Sequence, residues 1–425
     1  MHALTAAFDD FSRRLDGEGP VGVAVSGGGD SVALLYALRQ WGRRPLEVFC
    51  VDHGLNPASR AWTDGVARHA ARVGAGFTAL AWQGDKPLTG LSAAAREARH
   101  RLLAGAAWAK DIRVLCLGHT RDDIAEAEMM REDGSNVSAP QAWAPSPAWP
   151  QGRGLFLYRP FLNVRRATLR DVLREQGVDW IDDPANENPL SARARARFVV
   201  PETLPSVVEQ PPLLTPAVAE ALLDSELAPW GLIAFRREVF DALPREAALR
   251  LLATAAVCAG GGIRLPRRAD IERALAGLAE GRLHTLCGAR LQAADEQIHI
   301  AREAGDIARH GATAVIVEPS VEVMWDGRFA ITSREPGQVL PAAGLRARLE
   351  AQDHKRLAAL PAGLRGSQAV WTDGTRYRLA TNAALRQNPY KGPLATGWVL
   401  PRFLAAAGLY TRESEAVLPP DGAWR

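Results

Sequence analysis

Six small and polar residues near the start of the chain are the ones best suited to chemistry. They are Ser26, Gly27, Gly28, Gly29, Asp30 and Ser31. The valine-rich run Val21–Val25 precedes them and the Ala- and Leu-rich segment Val32–Leu38 follows, an order that predicts a strand, a tight turn and a helix. In that geometry backbone N–H groups and the positive end of the helix face an anion, and glycines leave room for it. We therefore predict a phosphate-binding loop, to which the two serines add hydroxyl donors.

Two other kinds of phosphate loop are excluded by the positions of glycine and lysine. A Walker A loop contains Gly-Lys followed by Ser or Thr, and no lysine of this chain follows a glycine. A dinucleotide-binding loop requires a later glycine, and this loop has none after Gly29. The alternative to a phosphate site is an ordinary glycine turn in an α/β protein.

The elements that must position this loop are apolar runs that alternate with helical segments. Strands are predicted at Leu46–Val51, Phe77–Trp82 and Arg113–Leu117, and helices at Ser59–Val73 and Leu91–Lys110. Such alternation predicts an α/β fold with a doubly wound parallel sheet. Sheets of this kind bind ligands at the carboxyl ends of their strands.

Polar residues directly follow two of the predicted strands. They are Asp52 and His53 after the second strand, and His119, Asp122, Asp123 and Glu126 after the fourth. We expect both groups to converge with the phosphate loop on one crevice. Asp123 and Glu126 are three residues apart and therefore share a helix face. The alternatives are a helix N-terminal charge preference for Asp122 and Asp123, and a structural, partly buried role for the two histidines.

The composition limits the class of protein. The chain has 425 residues, of which 47% are hydrophobic and 23% charged, as is typical of a soluble protein with two or three domains. The net charge of +3 does not by itself indicate a nucleic-acid partner. Four cysteines without a C-x-x-C pattern argue against a zinc ribbon, a disulfide framework or an iron–sulfur site. Because the chain shows neither a signal peptide nor an apolar run of about 18 residues, we expect a cytoplasmic protein without a membrane segment.

Prolines suggest where the domains meet. Pro205, Pro211, Pro212 and Pro216 indicate a linker over 205–216. The predicted division is therefore a domain over 1–204 that carries the phosphate loop, a mainly helical domain over 217–310 and a smaller α+β domain over 311–425.

The phosphate loop resembles the SGGxDS loop of the PP-loop ATP pyrophosphatases, and the ordered set of motifs resembles one family among them. The set covers about the first 200 residues and is similar to that of the tRNA(Ile)-lysidine synthetases. Its members are Asp52–Leu55, Ala95–Arg99, Gly118–Glu126, Arg159–Leu162 with Arg165, Trp180–Asn186 and Arg193–Arg197.

The resemblance implies an activity, cofactors and partners. Enzymes of that family use ATP to adenylate the wobble cytidine of an isoleucine tRNA with a CAU anticodon. The amine of L-lysine then displaces AMP and gives lysidine. The resemblance also implies Mg²⁺, because the charge of a triphosphate must be neutralised, and C-terminal domains that help to bind the tRNA.

The same resemblance assigns roles to individual residues. As catalytic residues it implies Asp30, Asp123 and Glu126, with Mg²⁺ at Asp30 and Asp123. For ATP it implies Ser26, Gly27, Gly28, Gly29, Asp30, Ser31, Asp52 and His53. As RNA or phosphate contacts it implies Arg99, His119, Arg193, Arg195 and Arg197. An acidic group is also required to orient or deprotonate the lysine ammonium, since a protonated amine cannot attack.

Departures from the family pattern leave two other functions open. Ile124 and Ala127 stand where the family usually carries Gln and Thr. A PP-loop tRNA thiolase is one alternative, although it usually needs a reactive cysteine pair, and Cys50 and Cys116 lie in predicted strands. A non-catalytic RNA-binding descendant is the other.

Overall fold

The computed structural model describes residues 4–132, 139–182, 212–310, 314–381 and 393–415. The chain divides into two compact units. The N-terminal unit comprises Met1–Pro211 with Tyr410–Val417, and the C-terminal unit comprises Pro212–Leu409 with Leu418–Arg425. No helix among the described residues is long and apolar enough to cross a membrane.

The N-terminal unit is built on a six-stranded sheet with the strand order β3-β2-β1-β4-β6-β5. Its strands are β1 (Val21–Ala24), β2 (Leu46–Asp52), β3 (Gly76–Ala81), β4 (Val114–Leu117), β5 (Trp143–Pro145) and β6 (Phe156–Tyr158). Its helices are α1 (Thr5–Arg14), α2 (Gly29–Trp41), α3 (Ser59–Val73), α4 (Leu91–Ala109), α5 (Arg121–Glu132) and α6 (Arg166–Glu175). All neighbouring strands are parallel except β5, which runs antiparallel to β6.

Both faces of this sheet are covered, which explains why its strands are apolar without alternation. Along β4, Val114 and Cys116 belong to one buried cluster with residues of α2, α3 and α6, such as Leu34. Leu115 and Leu117 belong to a second cluster, which includes residues of α4. Successive side chains of a strand point to opposite faces, so the two clusters mark the two sides of the sheet. The prediction of a doubly wound parallel sheet is confirmed.

The C-terminal unit carries antiparallel sheets together with its helices. The sheet orders are β7-β8-β11-β10-β9, β12-β15-β16-β17 and β13-β14-β18. The strands of the first sheet are β7 (Leu223–Asp224), β8 (Ile233–Arg236), β9 (His284–Leu286), β10 (Ala289–Ala294) and β11 (Gln297–Arg302). Those of the other two are β12 (Val315–Val317), β13 (Val323–Trp325), β14 (Phe329–Thr332), β15 (Gly337–Pro341), β16 (Ala369–Thr372), β17 (Tyr377–Leu379) and β18 (Leu394–Gly397).

Between 217 and 310, where a mainly helical domain is expected, the structure has both helices and the five-stranded sheet β7-β8-β11-β10-β9. The helices of the C-terminal unit are α7 (Pro216–Leu222), α8 (Arg237–Asp241), α9 (Arg245–Gly260), α10 (Arg268–Ala279), α11 (Ala304–His310), α12 (Ala351–Ala359), α13 (Ala362–Arg365) and α14 (Val399–Ala406). Two short 3₁₀ turns lie at Ala228–Trp230 and Arg346–Arg348.

The domain boundary expected near residue 311 does not divide the structure into separate units. Leu232 and Ala301, which precede that point, share one buried apolar cluster with Leu357 and Leu364, which follow it. A common core makes Pro212–Leu409 one compact unit. Of the expected linker, residues 205–211 lie outside the described part of the chain.

The end of the chain differs most from the sequence-based division, because residues 410–415, here called the C-terminal tail, pack on the N-terminal unit. The guanidinium of Arg14 donates a hydrogen bond to the Thr411 carbonyl oxygen over 2.9 Å. Arg44 Nη2 donates to Glu413 Oε1 over 3.0 Å, and both side chains of this ion pair are buried. The tail therefore belongs to the unit that carries the phosphate loop rather than to a domain over 311–425.

Candidate active site

The loop Ser26–Ser31 connects β1 to α2 and is closed by hydrogen bonds of its own residues. Ser31 Oγ donates to the Gly28 carbonyl oxygen over 2.8 Å and accepts from the Ser26 N–H over 3.2 Å. Helix α2 begins at Gly29, and the residue before it, Gly28, has no side chain with which to cap the helix. The first N–H groups of α2 therefore face the crevice without a side-chain cap, an arrangement that suits an anion.

Two glycines are required here by their surroundings. Gly27 has a φ of +90°, and a Cβ at this residue would lie 2.5 Å from Ile181 Cδ1. The Ile181 N–H donates to the Gly27 carbonyl oxygen over 2.9 Å, so the chain after α6 lies directly on the loop. A Cβ at Gly118 would lie 2.8 Å from the Asp30 carbonyl oxygen. The end of β4 is thus in close contact with the start of α2.

Three carboxylates meet around Arg166, the first residue of α6. Arg166 Nε donates to Asp30 Oδ2 over 2.9 Å, and Nη1 donates to Glu126 Oε1 over 2.9 Å. Nη2 lies 3.5 Å from Asp123 Oδ1. Asp30, Asp123 and Glu126, here called the acidic cluster, come from the start of α2 and from one face of α5. The structure therefore brings together the three predicted catalytic carboxylates.

Besides its contact with Arg166, Asp123 has a structural contact at the start of its own helix. Its Oδ2 accepts from the Thr120 N–H over 2.7 Å and from Thr120 Oγ1 over 2.8 Å. This is the capping arrangement in which an acidic residue in the first turn reaches back to the helix start. Asp123 thus fixes the beginning of α5 with one oxygen and contacts Arg166 with the other.

Asp122 lies outside the acidic cluster and joins α5 to α6. Its carboxylate accepts from Arg165 Nη2 over 3.0 Å and from the Arg166 N–H over 2.8 Å. Asp122 therefore has a structural contact at the N-terminus of α6. The alternative role left open by the sequence was a charge preference at the start of its own helix, α5.

The electrostatics of the acidic cluster favour a charged Arg166. Burial alone would lower the pKa of Arg166, but Asp123, Glu126 and Asp30 together raise it above its usual range. Burial raises the pKa of the Asp30 carboxyl, and the neighbouring Arg166 guanidinium opposes that shift. Three carboxyl groups thus share one guanidinium, and a site rich in acidic oxygens suits a further cation.

The acidic cluster fits Mg²⁺ through Asp30. Asp30 Oδ1 is buried and has no hydrogen-bond partner among the described residues. Mg²⁺ prefers oxygen ligands and is usually held by one or two carboxylates together with substrate phosphates. No set of three or more His, Cys, Asp or Glu side chains in the described part of the chain forms a metal site by itself. Asp30 therefore suits a metal that arrives with the nucleotide, whereas both oxygens of Asp123 already have partners in Thr120 and Arg166.

A second group of charges, all basic, surrounds Arg159. Arg159 Nε donates to His119 Nδ1 over 3.2 Å, and Nη1 donates to the Gln141 carbonyl oxygen over 2.8 Å. Burial and the charges of Arg96 and Arg99 lower the pKa of Arg159 to about 10.

Two histidines belong to the same group. Burial and the charges of Arg99, Arg96 and Arg159 lower the pKa of His100 to about 3. Burial and Arg99 likewise lower the pKa of His53. The basic cluster is defined here as His53, Arg96, Arg99, His100, His119 and Arg159. The lowered pKa values leave His53 and His100 neutral at neutral pH, so the positive charge of the cluster comes from Arg96, Arg99 and Arg159, and that charge suits an anion.

The other residues predicted for the site belong to neither cluster. Asp52 Oδ1 accepts from the Gly54 N–H over 2.7 Å and shapes the turn after β2. Arg193, Arg195 and Arg197 lie outside the described residues. The sequence thus pointed to three members of the acidic cluster and to His53, Arg99 and His119 of the basic cluster.

Comparison with known proteins identifies the family. A sequence family described as a PP-loop domain matches residues 2–203 of this chain. The tRNA(Ile)-lysidine synthase of Caulobacter vibrioides is 41% identical, and the match covers 97% of this chain and 99% of that protein. The chain belongs to the tRNA(Ile)-lysidine synthase family. Relatives from Hyphomonas neptunium and Rhizobium meliloti are each 33% identical, over 78% and 88% of this chain and 92% and 87% of their own.

As a member of this family, the chain is an ATP-utilising ligase of the PP-loop type. Ile124 and Ala127, which depart from the motif that the resemblance suggested, are buried apolar residues of α5. They leave the contacts of Asp123 and Glu126 with Arg166 in place.

The cysteines give no support to a thiolase. Cys50, Cys116 and Cys258 are buried, and Cys287 is partly buried. Burial raises the pKa of Cys50 and of Cys258 to about 11, and it raises that of Cys116 as well. These thiols are therefore protonated at neutral pH and are poor nucleophiles.

Arg166 is the functional residue that sequence reasoning missed. A signal for it exists, because Arg165 and Arg166 stand at the start of α6 and its first turn contains no acidic residue. The helix macrodipole disfavours cations at that end. Two arginines there indicate that carboxylates from another element face them.

Proposed function

We propose that this enzyme joins L-lysine to the wobble cytidine of the isoleucine tRNA with a CAU anticodon. ATP first adenylates the base, and lysine then displaces AMP. The observation that carries the proposal is the position of Asp30, which belongs both to the phosphate loop and to the acidic cluster.

In the first step, the loop Ser26–Ser31 would bind the pyrophosphate part of ATP with its backbone N–H groups. The cytidine carbonyl oxygen attacks the α-phosphorus, a new P–O bond forms and pyrophosphate leaves. Mg²⁺, when bound, supplies positive charge to the phosphates. Asp30 and Asp123 are the residues that would hold it, since Asp30 Oδ1 has no partner among the described residues and Asp123 Oδ1 lies beside the same Arg166 guanidinium.

In the second step, the lysine side-chain amine must lose a proton before it attacks. Glu126 is buried, with its side chain only 1% exposed, and it contacts the same Arg166 guanidinium as Asp30. A carboxylate in that position can orient the ammonium and accept its proton. The C–N bond then forms, the C–O bond to AMP breaks and AMP leaves with the electron pair.

The basic cluster supports contact with phosphates of the nucleotide or of the tRNA. Arginine forks match phosphate oxygens in pairs, and several of them face one region here. Arg193, Arg195 and Arg197 remain predicted RNA contacts. Because the substrate is a tRNA, we also infer that the enzyme acts in the cytoplasm.

The test is mass spectrometry of purified isoleucine tRNA after incubation with the full chain, ATP and lysine. We expect the anticodon cytidine to gain one lysyl group, only when ATP and lysine are both present. Wild-type protein that leaves the tRNA mass unchanged would exclude the proposal. In a parallel incubation with ATP and sulfide in place of lysine, a gain of sulfur by the tRNA would favour the thiolase alternative.

A further inference from the structure

Arg166 is shared by all three carboxylates of the acidic cluster. Its three nitrogens lie 2.9 Å from Asp30 Oδ2, 2.9 Å from Glu126 Oε1 and 3.5 Å from Asp123 Oδ1. Its side chain is 15% exposed, and that of Asp123 is 7% exposed. A planar guanidinium with five N–H donors can serve several acceptors at once, which a single ammonium does less well.

The oxygens that Arg166 occupies are those that a substrate cation needs. An ammonium or a divalent ion attracted by the acidic cluster would seek Asp30 Oδ2 and Glu126 Oε1, and Arg166 already binds both. Asp30 Oδ1 is left over as a buried acceptor beside them. A small cation must therefore either share the acidic cluster with Arg166 or displace its guanidinium.

The backbone of Arg166 is fixed independently of its side chain. Its N–H donates to Asp122 Oδ2 over 2.8 Å, and Arg165 holds the same carboxylate. The long side chain can therefore rotate away from the acidic cluster while the N-terminus of α6 stays in place.

We propose that Arg166 is the resident counter-cation of the acidic cluster, which holds the three carboxylates together before the substrates bind and competes with small substrate cations for their oxygens. Arg166 is thus a positioning residue that acts through Asp30, Asp123 and Glu126. The inference that Arg166 competes with the lysine ammonium rests on the proposed function. The inference that it competes with a divalent ion rests on the geometry alone.

The first test uses Mn²⁺ as the probe, titrated into the full chain without nucleotide and followed by electron paramagnetic resonance. In Arg166→Met the acidic cluster loses its own cation, and we expect Mn²⁺ to bind about tenfold more tightly than to the wild type. Arg165→Met is the matched control, since Arg165 pairs with Asp122 outside the acidic cluster, and its Mn²⁺ affinity should equal that of the wild type. Equal or weaker Mn²⁺ binding by Arg166→Met overturns the proposal.

Arg166→Lys covers the case in which the methionine variant does not fold. A lysine keeps one charge but holds fewer of the three carboxylates, so Mn²⁺ affinity should rise about threefold. Circular dichroism and the melting temperature establish that the variant is folded. A folded Arg166→Lys protein that binds Mn²⁺ no more tightly than the wild type counts against the counter-cation role.

The second test separates KM from kcat for lysine in the incorporation assay. If Arg166 competes with the lysine ammonium for the acidic cluster, Arg166→Met should lower the KM for lysine severalfold, because the competing cation is gone. It should lower kcat as well, because the carboxylates are less well positioned. A purely structural role would lower the active fraction and leave KM unchanged. A raised KM would mean that Arg166 binds the lysine substrate itself, which also overturns the proposal. If wild-type protein incorporates no lysine, the proposed function fails while the Mn²⁺ result still decides the role of Arg166.

Discussion

Arg166 and Arg159 are both largely buried arginines of the N-terminal unit, and their surroundings shift their pKa values in opposite directions. Burial lowers the pKa of each. At Arg166 the carboxylates of the acidic cluster outweigh burial and raise the pKa. At Arg159 the charges of Arg96 and Arg99 add to burial, and the pKa falls to about 10. Neighbouring carboxylates therefore stabilise the charged form of Arg166, whereas burial and neighbouring arginines destabilise the charged form of Arg159.

This difference suggests how the crevice divides its ligands. The acidic cluster, with its three carboxyl groups, suits the metal and the amine. The basic cluster suits a polyanion, either the triphosphate or the tRNA backbone. A site that handles ATP, RNA and an amino acid with an ammonium group needs both kinds of surroundings.

The largest effect should follow loss of the charge at Asp30. We expect Asp30→Asn to reduce tRNA-dependent pyrophosphate release on the order of 10³-fold, because the loop loses the carboxylate suited to hold the metal at the phosphates. Binding of tRNA, measured by filter retention, should stay within about twofold since Asp30 belongs to the acidic cluster. Wild-type rates of pyrophosphate release would show that the loop is wrongly assigned.

Glu126→Gln should separate the two chemical steps. We expect lysine incorporation on pre-adenylated tRNA to fall about 100-fold, because the amide cannot accept the ammonium proton. Pyrophosphate release should change only a few-fold, since Asp30 and Asp123 remain. If both steps fall by the same factor, Glu126 acts with the metal; if neither falls, its assigned role is wrong.

Arg159→Gln tests the basic cluster. We expect tRNA affinity to fall about 10- to 100-fold, with a slope of log K against log salt that is shallower by about one. Binding at several salt concentrations measures both, and Arg43→Gln, an exposed arginine of the same unit, is the control. Weakened ATP binding with unchanged tRNA affinity would instead assign the basic cluster to the nucleotide.

His100 should make stability depend on pH. Its pKa is lowered from 6.5 to about 3 in the folded protein, so below pH 6.5 the unfolded chain binds a proton that the folded chain does not. Stability contributed by the neutral histidine is therefore lost as the pH falls, by about 1 kcal/mol at pH 5.5 relative to pH 7. Urea unfolding of His100→Leu should lack this loss, whereas His310→Leu, at an exposed position, should retain it. A pH dependence equal to that of the wild type would contradict a neutral His100.

Local patterns predicted most of the N-terminal unit. The predicted strands correspond to β2, β3 and β4 within one residue at each end, because apolar runs and glycine turns are properties of short segments. Arg166 was beyond such reasoning, since its partners Asp30 and Glu126 are 136 and 40 residues away in sequence. The shared core across residue 311 was missed for the same reason.

The C-terminal tail has a consequence for how the enzyme is made. Arg44 and Glu413 are 369 residues apart, so a ribosome must add a further 369 residues after Arg44 before this ion pair of the N-terminal unit can form. At usual elongation rates the interval is about 20 to 70 s. Until then the growing chain carries an incompletely covered catalytic unit, and a chain that ends prematurely never covers it. A catalytic fragment that stops near residue 210 lacks the C-terminal tail and therefore reproduces this incompletely covered state.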